Sequence, residues 1–265
     1  MNVVVCVKHV PDATGDRRFE DDNTVDRVGV DGLLSELDEY AVEQALQLKE
    51  NAGGDSTVTV LTVGPENAAD AIRKALQMGA DSGVHVLDDA VAGSDASATS
   101  LVLSEAIKRI GESSGFDLVV CGMASTDGGM GVVPAMLCER LGLPGATLGS
   151  EVTADGGSVQ ISRDGDTATM TVEAGLPAVL SVTDRSGEPR YPSFKGIMAA
   201  KKKSVDTWSL ADLAVDGSRV GLAAAYTSVV SAQARPPRTA GQIVTEDDGV
   251  GAEALVDFLT ANKFI

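Results

Sequence analysis

A glycine-rich loop is the segment of this sequence best suited to hold a ligand. Four glycines fall within the ten residues of this glycine loop, Gly122-Met123-Ala124-Ser125-Thr126-Asp127-Gly128-Gly129-Met130-Gly131. It joins a predicted strand ending at Cys121 to a helix predicted at about residues 132–141. Glycines let the backbone approach a ligand, and a helix start directs unpaired N–H groups and a positive dipole end toward it, which suits a phosphate. The pattern predicts a nucleotide site, and a strand-to-helix turn without a ligand is the alternative.

Asp127 is the one acidic residue of the glycine loop, and its charge opposes a phosphate at its own side chain. We expect it to cap the following helix or to accept a hydrogen bond from a ribose hydroxyl. The sequence has no Gly-x-x-x-x-Gly-Lys-Ser/Thr motif, and no Gly-x-Gly-x-x-Gly follows the first predicted strand. An ATP-cleaving enzyme is therefore disfavoured.

A second candidate surface lies between Glu188 and Lys203. Prolines 189 and 192 favour an extended backbone, so Tyr191 and Phe194 are expected on an ordered surface loop that faces a partner, followed by Ile197 and Met198. The basic run at residues 201–203 is either a solvated patch or a docking site for acidic partners.

Side chains for catalysis or metal binding are scarce. The chain has two histidines, His9 and His85, and a lone histidine at the end of the first strand is typically structural. No serine or cysteine nucleophile has an evident base. Three cysteines without close spacing, Cys6, Cys121 and Cys138, indicate neither a metal site nor a disulfide framework, and the first two are predicted to be small buried hydrophobes. We predict no catalytic residues and no metal.

The net charge of −18 excludes some classes of partner, since it opposes both the nucleic-acid backbone and an anionic membrane surface. The acidity fits a solvated surface, adaptation to salt, or a basic partner. The first residues are too short for a signal segment and no apolar run approaches the length of a membrane span, so we expect a cytoplasmic protein that is not membrane-embedded.

The elements that must position the glycine loop follow a β–α alternation through the first half of the chain. Such alternation predicts an α/β fold, a doubly wound, mostly parallel sheet of the Rossmann-like type, with a nucleotide at its carboxyl edge. The predicted strands are at residues 3–8, 57–63, 84–87 and 118–121, and the predicted helices are at 38–50, 65–78 and around 103–110. Ser35 or Asp38 is expected to cap the first helix, and Gly79 to end the second.

After residue 145 the pattern changes. Period-two runs at residues 158–163, 167–173 and 178–183 predict antiparallel strands added to the edge of the sheet. From about residue 190 strand and helix signals thin out, apart from a proline-rich spacer at 235–241 and a closing helix at 252–262. We therefore predict a nucleotide-binding domain at 1–189, and a partner-recognition loop with an extended C-terminal arm at 190–265 that packs on another chain.

Six segments, in order and over essentially the whole length, resemble the beta subunit of electron transfer flavoproteins. They are VKHVPD at 7–12, EYAVEQA at 39–45, AIRKALQMGAD at 71–81, LPAV at 176–179, EPRY at 188–191 and RTAG at 238–241. The resemblance implies a heterodimer whose alpha subunit holds most of the redox FAD. Such a carrier is not itself an enzyme; it takes electrons from acyl-CoA and related dehydrogenases, as in fatty acid oxidation, and passes them through a membrane quinone oxidoreductase toward the respiratory chain.

The resemblance also implies a nucleotide in this chain, a structural AMP or, in the bifurcating branch, a second FAD. By position it would contact Cys6, Ser35, Glu36, Leu37, Asp38, Val63, the glycine loop from Gly122 to Gly131, Val132 and Val133. Leu37 would also face the partner's flavin, and Phe194 would be the partner-recognition side chain. Where many relatives carry amides and hydroxyls, this chain has Gly131, Val132 and Val133, so phosphate contacts would fall to backbone N–H groups, Ser125 and Thr126. From the residues alone, a stand-alone adenine-nucleotide-binding module of the stress-protein type remains the alternative.

Overall fold

A parallel sheet of seven strands forms the centre of the computed structural model, which describes residues 1–15, 18–233, 235–237, 241, 243–244 and 250–265. The strands of the described residues are, in chain order, β1 (Asn2–Cys6), β2 (His9–Pro11), β3 (Gly32–Leu34), β4 (Thr57–Val63), β5 (Ser82–Val86), β6 (Leu118–Gly122), β7 (Gly145–Gly149), β8 (Glu151–Ala154), β9 (Ser158–Asp164), β10 (Thr169–Gly175), β11 (Ala178–Val182) and β12 (Val205–Trp208). The α-helices are α1 (Glu36–Ala52), α2 (Ala69–Met78), α3 (Ala96–Ser114), α4 (Val133–Leu141), α5 (Phe194–Ala200) and α6 (Val250–Ala261).

The central sheet runs in the order β12-β5-β4-β1-β6-β11-β7, and every neighbouring pair is parallel. From β1 the chain builds outward through β4 and β5, then returns to the other side of β1 to add β6. The strand order therefore reverses between β1 and β6, so the connections that follow these two strands leave in opposite directions. We call the space between these connections, at the carboxyl edge of the sheet, the crevice. This confirms the doubly wound α/β fold.

Helices cover both faces of the sheet because the side chains of β1 alternate between them. Val3 and Val5 pack in one core cluster with residues of α1 and α2. Val4 and Cys6 pack in the other with residues of α3 and α4. The predicted helices are confirmed, and the second ends at Gly79, where φ is 143°. The sheet is thus a rigid base for the loops at its carboxyl edge.

The prediction for residues 178–183 is wrong, because β11 is a parallel strand inside the central sheet, between β6 and β7. All five of its residues are buried, as in a strand covered on both faces. The runs at 158–163 and 167–173 are antiparallel as predicted, in β9 and β10, but they belong to a separate three-stranded sheet in which β9 lies between β8 and β10. The buried run Ala178-Val-Leu-Ser-Val indicates a central strand, and the neighbouring hairpin obscured it.

Two elements after residue 190 were not predicted. Helix α5 packs against α2, and β12 extends the central sheet by pairing with β5. β12 is only four residues long and half of its residues are polar, so its sequence shows no clear alternation of apolar and polar residues. Within the described residues, no helix is long and apolar enough to cross a membrane.

The chain divides into two compact units, Met1–Val230 and Ser231–Ile265. The second unit contains α6, which confirms the closing helix predicted at 252–262. The predicted spacer lies partly, and the RTAG segment mostly, outside the described residues. The functional division predicted at residue 190 stays a prediction.

Candidate nucleotide-binding site

The glycine loop leads from the carboxyl end of β6 to the start of α4, as predicted. Gly122, at the end of β6, lies tight against the first turn of α1. A Cβ on Gly122 would come within 2.6 Å of Asp38 Oδ1 and 2.7 Å of the Leu37 carbonyl oxygen. This contact requires glycine, and it brings the start of α1 against the floor of the crevice.

The outer half of the glycine loop, residues 128–131, is exposed. Gly129 has a φ of +63°, in the left-handed region, and a Cβ built on it would meet no atom within 4 Å. The backbone there is both strained for other residues and open to an approaching group. No side chain caps α4, whose N-cap is Val132 and whose first turn contains Pro134. Its first N–H groups carry the positive end of the helix dipole.

Asp127 does not cap α4, contrary to one of the two roles predicted for it. It lies six residues before the first residue of α4, and its carboxylate accepts hydrogen bonds from Lys8 Nζ at 2.9 Å and from the Arg27 guanidinium. Its side chain is only 3% exposed. Burial raises the pKa of Asp127, but the charges of Lys8 and Arg27 and the hydrogen bond from Ser125 outweigh it and hold that pKa well below its usual range. Asp127 is therefore ionised at neutral pH.

Lys8, Arg27 and Asp127 together carry a charge of +1 in a chain whose net charge is −18, and the nearby Asp38, with a pKa of about 7, is only partly ionised at neutral pH. Lys8 and Arg27 are partly exposed, at 40% and 28% of their side chains. Desolvation by burial lowers the pKa of Lys8, with Asp127 opposing that shift. This surplus of positive charge beside exposed glycines suits a phosphate.

Sequence reasoning missed both cations. Lys8 follows β1 closely, at the carboxyl edge of the sheet, and that position is a signal for a ligand-facing residue. Arg27 carries no such signal, because it is placed by tertiary contacts: its Nη1 donates to the His9 carbonyl at 3.2 Å, and its own carbonyl accepts from Asn67 Nδ2 at 2.7 Å. His9 itself is buried in β2 and packs against Gly32, a structural position.

The start of α1 is hydrogen-bonded both to the glycine loop and to the residue Lys8 that follows β1. Ser35 is the N-cap residue of α1, as one of the two predicted positions, but no side chain caps that helix by a hydrogen bond. Instead, Ser35 Oγ accepts from the Thr126 N–H at 3.4 Å, and Asp38 Oδ2 accepts from the Lys8 N–H at 2.8 Å. Burial raises the pKa of Asp38 to about 7, although the N–H and the charge of Lys8 oppose the shift. The helix start thereby joins the end of β1 to the glycine loop.

Asp38 makes a pH dependence expected. The pKa of Asp38 is about 7 in the folded chain against an ordinary value of 3.8, so between about pH 4 and pH 7 the folded state binds more protons than the unfolded state. The free energy of unfolding should fall as pH rises through that window, by up to about 1.4 kcal/mol per pH unit from this group. Asp38→Asn should remove this slope. Urea unfolding of both proteins at pH 5, 6, 7 and 8 measures it, and parallel pH profiles would refute the assignment.

The structure places the predicted nucleotide contacts around one crevice. Gly122 lies against Leu37 and Asp38, and the Asp38 N–H donates to the Ser35 carbonyl. Thr126 is hydrogen-bonded to Ser35, and Lys8 Nζ donates to Ser125 and Asp127. The remaining predicted positions lie at the ends of strands or helices nearby, or in the exposed part of the loop: Cys6 at the end of β1, Val63 at the end of β4, Glu36 at the start of α1, and Met123, Ala124, Gly128, Gly129, Met130, Gly131, Val132 and Val133 between β6 and α4. Their contacts with a nucleotide stay a prediction.

The predicted partner surface is exposed. Tyr191 is 91% and Phe194 is 81% exposed, with Ile197 and Met198 beside them. Phe194 is not in a loop, however, because it begins α5, where Ser193 Oγ accepts from the Gly196 N–H at 3.1 Å. Four large apolar side chains in so short a segment form an apolar patch.

Arg190 holds this segment on α1, which sequence reasoning also missed. Its Nε donates to Glu43 Oε2 at 2.7 Å and its Nη1 to Glu50 Oε1 at 2.6 Å. Its backbone N–H also donates to Glu43 Oε2 at 3.1 Å. The forked guanidinium fixes the chain one residue before Tyr191. The exposed side chains are therefore presented from an anchored backbone.

Comparison with known proteins gives a consistent result over the full length. A family model described as "Electron transfer flavoprotein domain" matches residues 22–213. The chain is 47% identical to the "Electron transfer flavoprotein subunit beta" of Mycobacterium tuberculosis (strain ATCC 25618 / H37Rv), covering 100% of this chain and 99% of the relative. The protein of the same description from Mycobacterium leprae (strain TN) is also 47% identical, with the same coverage, and that from Megasphaera elsdenii is 33% identical, with 100% of both chains covered.

Proposed function

The chain belongs to the electron transfer flavoprotein family, and we propose that it is the beta subunit of a heterodimeric carrier that holds one AMP in the crevice between β1 and β6. The observation that supports the nucleotide is the conjunction of an exposed glycine backbone with the surplus positive charge of Lys8, Arg27 and Asp127. The observation that supports the carrier role is the similarity to beta subunits over the whole chain.

The residues of the crevice fit an adenylate. Its phosphate would lie on the N–H groups of residues 128–131 and of the first turn of α4, near Lys8 and Arg27 and with the Ser125 and Thr126 hydroxyls beside it. Gly129 fits this role because its Cβ position is empty. The apolar ends of β1 and β4, at Cys6 and Val63, would flank the base. AMP would have a structural role here, because it would contact the glycine loop and the ends of β1 and β4 together.

The flavin belongs to the partner in this proposal. FAD held mainly by an alpha subunit supplies the one- and two-electron redox chemistry, and Leu37 of this chain lies beside it. This chain contributes the wall of the flavin site and the docking surface, and it contains no catalytic residues of its own. The exposed apolar residues of α6, among them Leu255, Val256 and Phe258, are the part of the arm that we expect to lie on the alpha subunit.

The redox partners follow from the same proposal. Acyl-CoA and related dehydrogenases, such as those of fatty acid oxidation, donate electrons to the flavin. A membrane-bound quinone oxidoreductase accepts them and passes them toward the respiratory chain. The chain itself works in the cytoplasm and needs neither a membrane segment nor nucleic acid.

Co-expression with the alpha subunit tests the carrier role. We expect one complex on size exclusion that contains both chains in equal amounts and about one flavin, seen as absorbance near that of bound FAD. Tight binding of ATP by the isolated chain, without recruitment of a flavin-bearing partner, would favour the stand-alone nucleotide-binding module instead.

Replacing Phe194 by Ala should slow electron transfer from a dehydrogenase. A single exposed aromatic anchor contributes about 2 kcal/mol to docking, which corresponds to a loss of roughly 30-fold in kcat/KM for the complex as substrate. Flavin content should not change, since Phe194 begins α5 and does not line the crevice. Stopped-flow reduction of the flavin measures this effect.

Met170→Ala is the matched control, because Met170 is an exposed apolar residue on β10 in the separate antiparallel sheet. It should leave the transfer rate unchanged. Equal transfer rates for wild type, Phe194→Ala and Met170→Ala would show that Phe194 does not contribute to docking of the dehydrogenase.

A further inference from the structure

The three cysteines of the chain, far apart in sequence, come together on one side of the central sheet. Cys6 and Cys121 are buried in the same core cluster, and Cys138 of α4 packs against that cluster. All three are free thiols. No part of the proposed electron transfer uses thiol chemistry, so that function does not explain why the three cysteines are grouped.

Cys6 and Cys121 are neighbours on adjacent parallel strands. Val5 of β1 is in register with Val120 of β6, and Cys6 and Cys121 are the next residue on each strand. Both side chains point to the face covered by α3 and α4, where they are buried in the same core cluster. Neighbouring strands lie about 4.8 Å apart. That spacing is within the roughly 4.4–6.8 Å between Cα atoms that a disulfide spans.

Both cysteines lie near the carboxyl edge of the central sheet. Each cysteine is at or next to the last residue of its strand, at the carboxyl edge of the sheet where the glycine loop begins. Cys6 is 8% exposed and Cys121 is 5% exposed. Cys6 is the more exposed residue of the pair, so we expect it to react with the oxidant first.

We propose that Cys6 and Cys121 are a redox-active dithiol that closes to an intrachain disulfide between β1 and β6, beneath the crevice, with a peroxide as the oxidant. The Cys6 sulfur attacks the O–O bond of hydrogen peroxide, which releases one water and leaves Cys6 as a sulfenic acid. The Cys121 sulfur then attacks the Cys6 sulfur and displaces the hydroxyl group as a second water. Two thiols thus lose two electrons and two protons, and one peroxide becomes two waters.

The order in which the two thiols react follows from their surroundings. The neighbouring Cys6 side chain and burial raise the pKa of Cys121, so we expect Cys121 to be the less reactive of the two thiols toward peroxide. Cys138 is on a helix instead of a neighbouring strand, with its sulfur against Gly145. It is the internal control for a thiol of the same cluster that should not join the disulfide.

Peptide mapping of the oxidised full-length chain tests the proposal. The protein is treated with increasing hydrogen peroxide, denatured, alkylated with N-ethylmaleimide and digested without reductant for mass spectrometry. We expect free thiols to fall from three to one and a peptide pair linking Cys6 to Cys121 to appear, which dithiothreitol separates. Cys138→Ser should keep the link, whereas Cys6→Ser and Cys121→Ser should abolish it.

Several results would overturn the proposal: three thiols that all stay alkylatable, a link that involves Cys138, or sulfinic acid on Cys6 with no link. The wild-type map decides the matter even if a serine variant fails to fold. The test is independent of the nucleotide proposal, since a linked Cys6–Cys121 peptide can form whether or not the crevice binds AMP.

Discussion

Replacing Asp127 by Ala should lower the free energy of unfolding by about 2 kcal/mol, because it leaves Lys8 and Arg27 beside each other without the carboxylate that neutralises them. The Asp127 side chain is almost fully buried, so solvent cannot replace it without rearrangement. The partial exposure of the two cations keeps the expected loss below the 3–5 kcal/mol of a fully buried pair. Urea unfolding at pH 7 measures the change.

Asp164→Ala is the control for this experiment. Asp164 also pairs with an arginine, Arg185, at 3.3 Å, but both side chains are far more exposed, at 35% and 73%. Its removal should cost under about 1 kcal/mol. If Asp127→Ala proved no more destabilising than Asp164→Ala, the cluster of Lys8, Arg27 and Asp127 would not hold the crevice together.

The second large effect is expected at Gly129, where Val should expel AMP from the crevice. A Cβ there enters space that no protein atom occupies and that we assign to the phosphate. The branched side chain also blocks approach to the neighbouring N–H groups. Retained AMP should fall at least about tenfold, a loss of about 1.4 kcal/mol in binding. Chromatography of the nucleotide released from purified protein measures it.

Gly53→Val is the matched control, since Gly53 has nearly the same φ, at +62°, and an equally open Cβ position. It follows the carboxyl end of α1, whereas the crevice lies at the amino end of that helix. Both variants bear the strain of a β-branched residue at positive φ, about 1–2 kcal/mol. Only Gly129→Val should lose AMP. Equal AMP content in the two variants would show that the loop does not contact the nucleotide.

Local pattern was enough to predict most of the fold. Alternating β-branched runs and amphipathic helices follow from the periodicity of strands and helices, and the parallel sheet follows from their order. The glycine loop was found for the same reason, since its composition and its position between strand and helix are both local. β11 was misassigned because its continuous apolar run indicates a central strand, whereas the antiparallel hairpin just before it in the sequence favours an edge strand. Its burial on both faces becomes visible only in the assembled sheet.

The charges of the site could not be predicted, since they depend on long-range pairing. Asp127 meets Arg27 across 100 residues and Arg190 meets Glu43 across 147 residues. Nothing in the local sequence of either arginine indicates its partner. The proximity of Cys6 and Cys121 was missed in the same way, because β6 lies next to β1 although β4 and β5 of the same sheet come between them in the sequence.

Counting the nucleotides in the purified heterodimer tests the central claim most directly. Acid extraction followed by chromatography separates AMP from FAD, and the protein is quantified by amino-acid analysis. The account predicts one AMP and one FAD per heterodimer, with AMP lost from the Gly129→Val complex while FAD is kept. Two FAD and no AMP would place a second flavin in the crevice, and a complex with one FAD and no adenylate at all would contradict the claim that this crevice binds a nucleotide.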